Sequence, residues 1–168
     1  SSFSGAALVK HLLAQRHQVE ERSLRDTIPP LPLPKVDVVV NFAALNVVAP
    51  SWAYWRQYMR VNVSVTGLLF DALVDNPPGL YIHVSTPEVY GRVAGTIYES
   101  QEFKPSTPYA VSRAAAEMLL KTYQQQYGLK AILTRACNVY GPGQQHYRLI
   151  PKLVASIMKG IKFPLEGG

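Results

Sequence analysis

The chain of 168 residues carries one cysteine, Cys137, and four scattered histidines. A single thiol excludes an internal disulfide framework and suits a reducing, cytoplasmic compartment. So few nitrogen and sulfur ligands, so far apart, argue against a structural zinc site, and no metal is expected. No apolar run approaches the roughly 18 residues that a membrane-spanning helix needs. The first residues also lack the basic-then-apolar order of a secretory signal. Charged residues make up only 17%, against 48% hydrophobic, a composition that builds a core rather than disorder. There is no internal repeat and no run of five like charges, so the net +6 (17 basic, 11 acidic) is spread singly along the chain. A basic balance permits an anionic partner such as a phosphorylated small molecule. With no basic stripe and no stacking-aromatic motif, nucleic acid is not the expected partner.

What is present alternates. Leu8, Leu12 and Leu13 at helical spacing predict a helix over 5–16. A short strand is expected near Val19, with poor neighbours in Glu20, Glu21 and Arg22. Residues 28–34 (IPPLPLP) exclude helix and central strand and read as connection. Residues 36–41 (VDVVVN) read as a buried parallel strand, and 52–75 as one long helix stopped by Asn76-Pro77-Pro78-Gly79. Residues 80–85 (LYIHVS) give the next strand, 108–127 a helix closed by Gly128, and 129–136 a strand. Residues 149–159 give a last helix closed by Gly160. Apolar strands alternating with helices predict an α/β fold with a doubly wound parallel sheet of Rossmann type. The chain opens on a helix and closes on loop-like Glu166-Gly167-Gly168. It is therefore expected to be incomplete at both ends, with residues missing between 19 and 36.

Five segments at strand-to-helix junctions carry chemistry, because ligands of such sheets bind at the carboxyl ends of the strands. Residues 85–91 (STPEVYG) place a hydroxyl, Thr86, beside a carboxylate, Glu88, suited to hold a substrate and move a proton; a plain Ser/Thr turn is the alternative. Residues 105–113 (PSTPYAVSR) open a helix on which Tyr109 and Arg113 share a face. A fixed cation there stabilises the phenolate, making the tyrosine a base toward a hydroxyl. Residues 135–143 (RACNVYGPG) follow another strand, with Asn138 before a forced turn. Residues 41–44 (NFAA) offer small side chains for close approach of a bulky ligand. The helix start at 1–5 (SSFSG) offers free N–H groups to a phosphate.

Taken in order, these segments resemble the extended short-chain dehydrogenase/reductase family, the NAD-dependent epimerases and dehydratases. STPEVYG is similar to the STDEVYG of sugar-nucleotide 4,6-dehydratases, PYAVSR to the family's P-Y-x-x-S-K, and residues 135–142 to R-x-x-N-V-Y-G-P. Residues 62–67 (NVSVTG) resemble its N-x-x-G-T, and Phe3-Ser4-Gly5 the end of its glycine-rich turn. The resemblance implies a dinucleotide-binding domain over 1–145, lacking its first strand, and the start of a substrate-binding lobe over 146–168.

It further implies NAD or NADP as cofactor, a nucleoside-diphosphate sugar as substrate, and a homodimer. The dimer would pair the helices of 52–75 and 109–127, with Val61, Val65, Leu68, Leu69, Ala115 and Leu119 at the contact or in the core. Activity of lyase or isomerase type follows. Tyr109 takes the proton of a sugar hydroxyl that Thr86 orients, while hydride passes transiently to the cofactor. Arg113, in place of the family lysine, binds the nicotinamide ribose, and Glu88 acts as base at C5. The cofactor set comprises Phe3, Ser4, Gly5, Phe42, Ala43, Ala44, Asn62, Val84, Ser85, Tyr109, Arg113 and Ala136. The substrate set comprises Thr86, Pro87, Glu88, Asn138, Arg148, Leu149, Phe163 and Leu165.

Three departures stand out. Ser2 occupies the second glycine of the phosphate turn, where its Cβ crowds the pyrophosphate. Pro87 occupies the place of the dehydratases' acid and cannot donate a proton. Arg113 keeps the charge but not the shape of a lysine. The proline favours a different elimination, an epimerisation or a decarboxylation over standard dehydration. The three departures also keep open a catalytically impaired binding protein on the same scaffold. Residues 20–23 (EERS) and Arg25 stand where the family distinguishes NAD from NADP, and either fits. His11, His17, His83 and His146 read as structural or surface, and Cys137 as a small buried residue.

Overall fold

The computed structural model describes residues 2–24, 33–100 and 102–163. Most of the proline-rich connection, Arg25 and Leu165 lie outside them. The chain forms two compact units, Glu21–Cys137 and Ser1–Glu20 with Asn138–Gly168.

The first unit is built on three short parallel strands in the order β1-β2-β3: β1 Val38–Asn41, β2 Leu80–Val84 and β3 Ala131–Thr134. Valine and isoleucine dominate them, as fits a pleated surface packed by helices. The register sets Val39 beside Tyr81 and Tyr81 beside Ala131, then Asn41 beside His83 and His83 beside Leu133. Tyr81 and His83, two residues apart, therefore share one face, and both are fully buried. Against that face lie Leu69, Phe70 and Leu73 of helix α4 (Thr66–Asp75), Leu120 of helix α5 (Pro108–Tyr127), and Leu129. Phe70 and Leu73 have no exposed surface, and burying each contributes about 1.5–3 kcal/mol.

The connection from β1 to β2 corrects the expectation of one helix over 52–75. Helix α2 (Val48–Ala53) ends at Tyr54, whose φ of −116° and ψ of 29° leave the helical region, and α3 (Trp55–Met59) starts beyond it. One π turn follows over Arg60–Val65 before α4 begins. Such wide turns often mark functional positions. This one contains Asn62, whose buried side chain is held from outside the helix. Helix α5 is capped at both ends: Thr107 Oγ1 accepts from Ala110 N at 3.1 Å, and Gly128 closes it in the left-handed region at φ 66°. The strand expected near Val19 does not form: residues 17–23 make no regular element, and among the described residues the sheet has three strands.

The second unit contains α1 (Phe3–Ala14) and α6 (Leu149–Met158). Gly141 lies against Phe3: a Cβ there would stand 3.5 Å from the ring. Among the described residues, no helix is long and apolar enough to cross a membrane, and no group of His, Cys, Asp and Glu is placed to hold a metal.

Candidate active site

The site grows from the carboxyl end of β2. Ser85 N donates to Thr134 O at 2.7 Å, carrying the ladder one residue past the strand. Thr86 then turns the chain, its Oγ1 accepting from Glu88 N at 3.3 Å. A single 3-10 turn spans Pro87–Tyr90. Proline suits that first position, where no N–H is needed. Pro87 thus helps shape the turn while removing any proton donor from it. Gly91 leaves the turn at φ 78°, ψ −153°, and a Cβ there would stand 2.0 Å from Lys104 O. Only glycine fits this backbone. Burial raises the Glu88 carboxyl above its ordinary value, since a half-buried carboxylate loses hydration.

Helix α5 brings Tyr109, Ser112 and Arg113 to the same place, all three buried. The Tyr109 ring meets the edge of Tyr58 at 6.3 Å and 77°. Ser112 Oγ donates to Tyr109 O at 2.7 Å and accepts from Asn62 Nδ2 at 2.9 Å. The Arg113 guanidinium runs back to β2, where Nη2 donates to Val84 O and to His83 Nε2 (3.2 Å). Burial pulls its pKa down, while Tyr109, Glu117 and Tyr81 nearby push it back up. Arg113 Nη1 and Ser85 Oγ are buried without a partner. Each such orphan costs about 1–3 kcal/mol. A hydroxyl-rich ligand at this strand end would satisfy both, so the residues present fit a dinucleotide ribose.

The loop after β1 is fixed by two asparagines. Asn41 Oδ1 accepts from Ala43 N at 2.8 Å. Asn62 Oδ1 accepts from Leu45 N at 2.8 Å, and its Nδ2 donates to Leu45 O at 3.0 Å as well as to Ser112. Asn62, expected among the cofactor contacts, thus has both polar atoms committed to the chain itself. It holds the loop of Phe42, Ala43 and Ala44, whose side chains are half-buried.

A second cluster braces the turn from behind. Arg135 Nε donates to both oxygens of Glu117, at 3.2 and 3.0 Å, and its guanidinium lies 5.0 Å from the Tyr90 ring and 5.2 Å from that of Phe103. Its Nη1 donates to Tyr90 Oη and Ser100 O.

Of the residues singled out in the sequence, the first unit thus assembles Phe42, Ala43, Ala44, Asn62, Val84, Ser85, Thr86, Pro87, Glu88, Tyr109 and Arg113. Ala136 also belongs to it, in exposed chain just past β3, and so does Cys137. Cys137 is exposed rather than buried, because the sheet ends at Thr134, three residues before it. Phe3, Ser4, Gly5, Asn138, Arg148, Leu149 and Phe163 belong to the other unit. There Ser2 Oγ accepts from Gly5 N at 3.0 Å and caps α1. The serine hydroxyl therefore takes one of the N–H groups expected for a phosphate. Lys152 Nζ stands 5.9 Å from the Phe163 ring, and the Arg148 guanidinium 5.5 Å from that of Tyr147.

Sequence reasoning passed over Tyr58, Tyr81 and Ser112, and read His83 only as structural or surface. For Tyr81 and His83 the alternation within LYIHV carried a signal, since both fall on the helix-covered face.

Comparison with known proteins places this geometry. The family model for the NAD dependent epimerase/dehydratase family matches residues 1–167. The chain is 37% identical over 134 residues to the dTDP-glucose 4,6-dehydratase of Streptomyces antibioticus, covering 79% of this chain and 40% of that protein. The solved dTDP-glucose 4,6-dehydratase of Streptomyces venezuelae, with NAD bound, superposes with a TM-score of 0.69 at 38% identity, covering 74% of this chain and 39% of that one. The UDP-glucuronic acid 4-epimerase of Bacillus cereus, in complex with UDP-glucuronic acid and NAD, gives a TM-score of 0.70 at 29% identity over 74% and 40% of the two chains. The chain spans less than half the length of these relatives. With its parallel Rossmann-type sheet and the junction segments built on it, the chain belongs to the NAD dependent epimerase/dehydratase family.

Proposed function

We propose that the protein binds NAD and oxidises a hydroxyl of a nucleoside-diphosphate sugar, as the first step of an epimerisation or an elimination. The observation that carries this reading is Arg113, one helical turn beyond Tyr109, held against the end of β2 that leads into Thr86 and Glu88, beside two buried polar atoms that no protein group satisfies. When bound, NAD supplies the hydride acceptor. Thr86 orients the sugar hydroxyl and Tyr109 takes its proton. The cation of Arg113 stabilises the phenolate and holds the ribose. Glu88, with its carboxyl raised by burial, serves as the base next to the new carbonyl. Ser85, Val84 and the loop of Phe42, Ala43 and Ala44 line the cofactor's side. Phe3, Ser4 and Gly5 serve the cofactor, and Asn138, Arg148, Leu149, Phe163 and Leu165 the nucleotide of the substrate, where residues 146–168 open the substrate lobe.

Pro87 bears on the net reaction. Without an acid beside Glu88, loss of a hydroxide is unassisted, which favours epimerisation or an elimination with a better leaving group. NAD in the two superposed enzymes supports NAD over NADP. A homodimer is supported by apolar surface on α2, α3 and α5, where Trp52, Trp55, Val111 and Met118 are exposed.

The test is to add NAD to the protein and to follow thermal unfolding and turnover of sugar nucleotides. NAD at 100 times its Kd should raise stability by about 2.7 kcal/mol, and a UDP- or dTDP-sugar should convert to an epimer or to a product short of water. No stabilisation by NAD or NADP, and no conversion of any sugar nucleotide, refutes the reading.

A further inference from the structure

A chain of buried hydrogen bonds runs from the loop after β1 to helix α5, and His83 is its central link. Ala43 N donates to Asn41 Oδ1 at 2.8 Å, and Asn41 Nδ2 donates to Tyr81 Oη at 3.1 Å. Tyr81 Oη lies 2.8 Å from His83 Nδ1, and His83 Nε2 lies 3.2 Å from Arg113 Nη2. Tyr81 and His83 are fully buried, Arg113 is 2% exposed and Asn41 5% exposed.

The chemistry of arginine orders this chain. A guanidinium has only donors, so the nitrogen facing it must accept. Nε2 therefore carries the lone pair, and a neutral imidazole then holds its proton on Nδ1, which donates to Tyr81 Oη. Burial, with the Arg113 cation beside it, keeps the imidazole neutral, its pKa lowered to about 3. Tyr81 cannot yield a phenolate at this depth, as burial raises its pKa beyond the ordinary range. Donation thus runs from Arg113 through His83 to Tyr81 Oη, which also accepts from Asn41 Nδ2. One Arg113 nitrogen is spent on His83 and Val84 O, and Nη1 is left as the uncommitted buried donor.

We propose that His83 is a positioning residue: by accepting from Arg113 Nη2 it fixes the guanidinium against β2, so that Nη1 remains the donor for the cofactor ribose. The same chain ties Arg113 to Ala43 in the loop read as lining the cofactor. A lysine has one nitrogen and no plane to fix; an arginine needs a second acceptor to set its rotation. The inference rests on the reading of Arg113 as ribose-binding.

Glutamine and asparagine separate the two nitrogens of His83. Glutamine reaches as far as Nε2 and offers an acceptor to Arg113; asparagine reaches only as far as Nδ1 and faces Tyr81. NAD affinity of the full chain, measured by calorimetry, is expected to be at least about tenfold higher in His83→Gln than in His83→Asn, the scale of one hydrogen bond to a charged group. That difference should vanish in an Arg113→Lys background, because the group being positioned is gone. Equal affinities, the reverse order, or a difference that persists with Lys at 113 overturns the proposal. Nitrogen-15 NMR of the unliganded parent protein gives a reading that needs neither NAD nor a folded variant. His83 should appear as the neutral Nδ1–H tautomer at neutral pH. An Nε2–H tautomer or an imidazolium there overturns the proposal. Should the parent fail to bind NAD while the tautomer is as stated, the functional reading fails and the His83–Arg113 link stands alone.

Discussion

Replacing Arg135 by methionine should unfold much of the support behind Glu88. Glu117 is 1% exposed and takes its charged partner from Arg135, whose own side chain is 16% exposed. Removing the cation leaves a carboxylate in a dry site, and breaking such a pair costs about 3–5 kcal/mol. The guanidinium also lies over the rings of Tyr90 and Phe103, contacts worth about 0.5–1 kcal/mol each. A total of about 4–7 kcal/mol follows from these two sources, against a typical whole-protein stability of about 5–15 kcal/mol. The assay is equilibrium urea unfolding followed by the fluorescence of Trp52 and Trp55, with a second probe to check two-state behaviour. Adding Glu117→Leu should recover most of the loss, because an apolar pair of similar volume is often neutral in place of a buried ion pair. A single variant that costs under about 1 kcal/mol, or a double variant no better than the single, refutes the reasoning.

Glu88 gives a pH signature. Its folded carboxyl is raised by burial, so the native state keeps a proton that the unfolded chain has released. Stability from this group is therefore lost as pH rises from the ordinary carboxylate range through its raised value. Glu88→Gln should flatten the stability curve over that window, and a curve unchanged by the substitution contradicts the account. Activity should show the opposite limb, rising as Glu88 deprotonates above the ordinary carboxylate range. Pro87→Asp restores an acid beside Glu88; formation of the water-loss product should rise by about 10²–10⁴-fold, the usual worth of a general acid. An unchanged or lower yield, measured by mass of the sugar nucleotide, means that the proline serves a different reaction.

The frame of the molecule was legible because period and punctuation agreed. VDVVVN and LYIHVS became β1 and β2, and Pro108 and Gly128 bounded α5 as their backbone preferences require. The break at Tyr54 and the π turn at 60–65 were not legible. Asn62 shows why: its partners, Leu45 and Ser112, are 17 and 50 residues away, and no local pattern encodes them. At the site, Thr86, Glu88 and Tyr109 stood out by residue type at strand ends. His83 did not, because its meaning depends on Arg113, 30 residues on. Cys137 misled for a related reason. Cysteine is usually buried, but here the strand stops three residues earlier.

The most direct test of the phenol's role is a single turnover of the NAD-loaded protein with a sugar nucleotide, followed by the absorbance of reduced nicotinamide. Tyr109→Phe should retain NAD and slow that signal by about 10²–10⁴-fold. A parent-like rate of reduction in the phenylalanine variant would show that the hydroxyl proton leaves by another route.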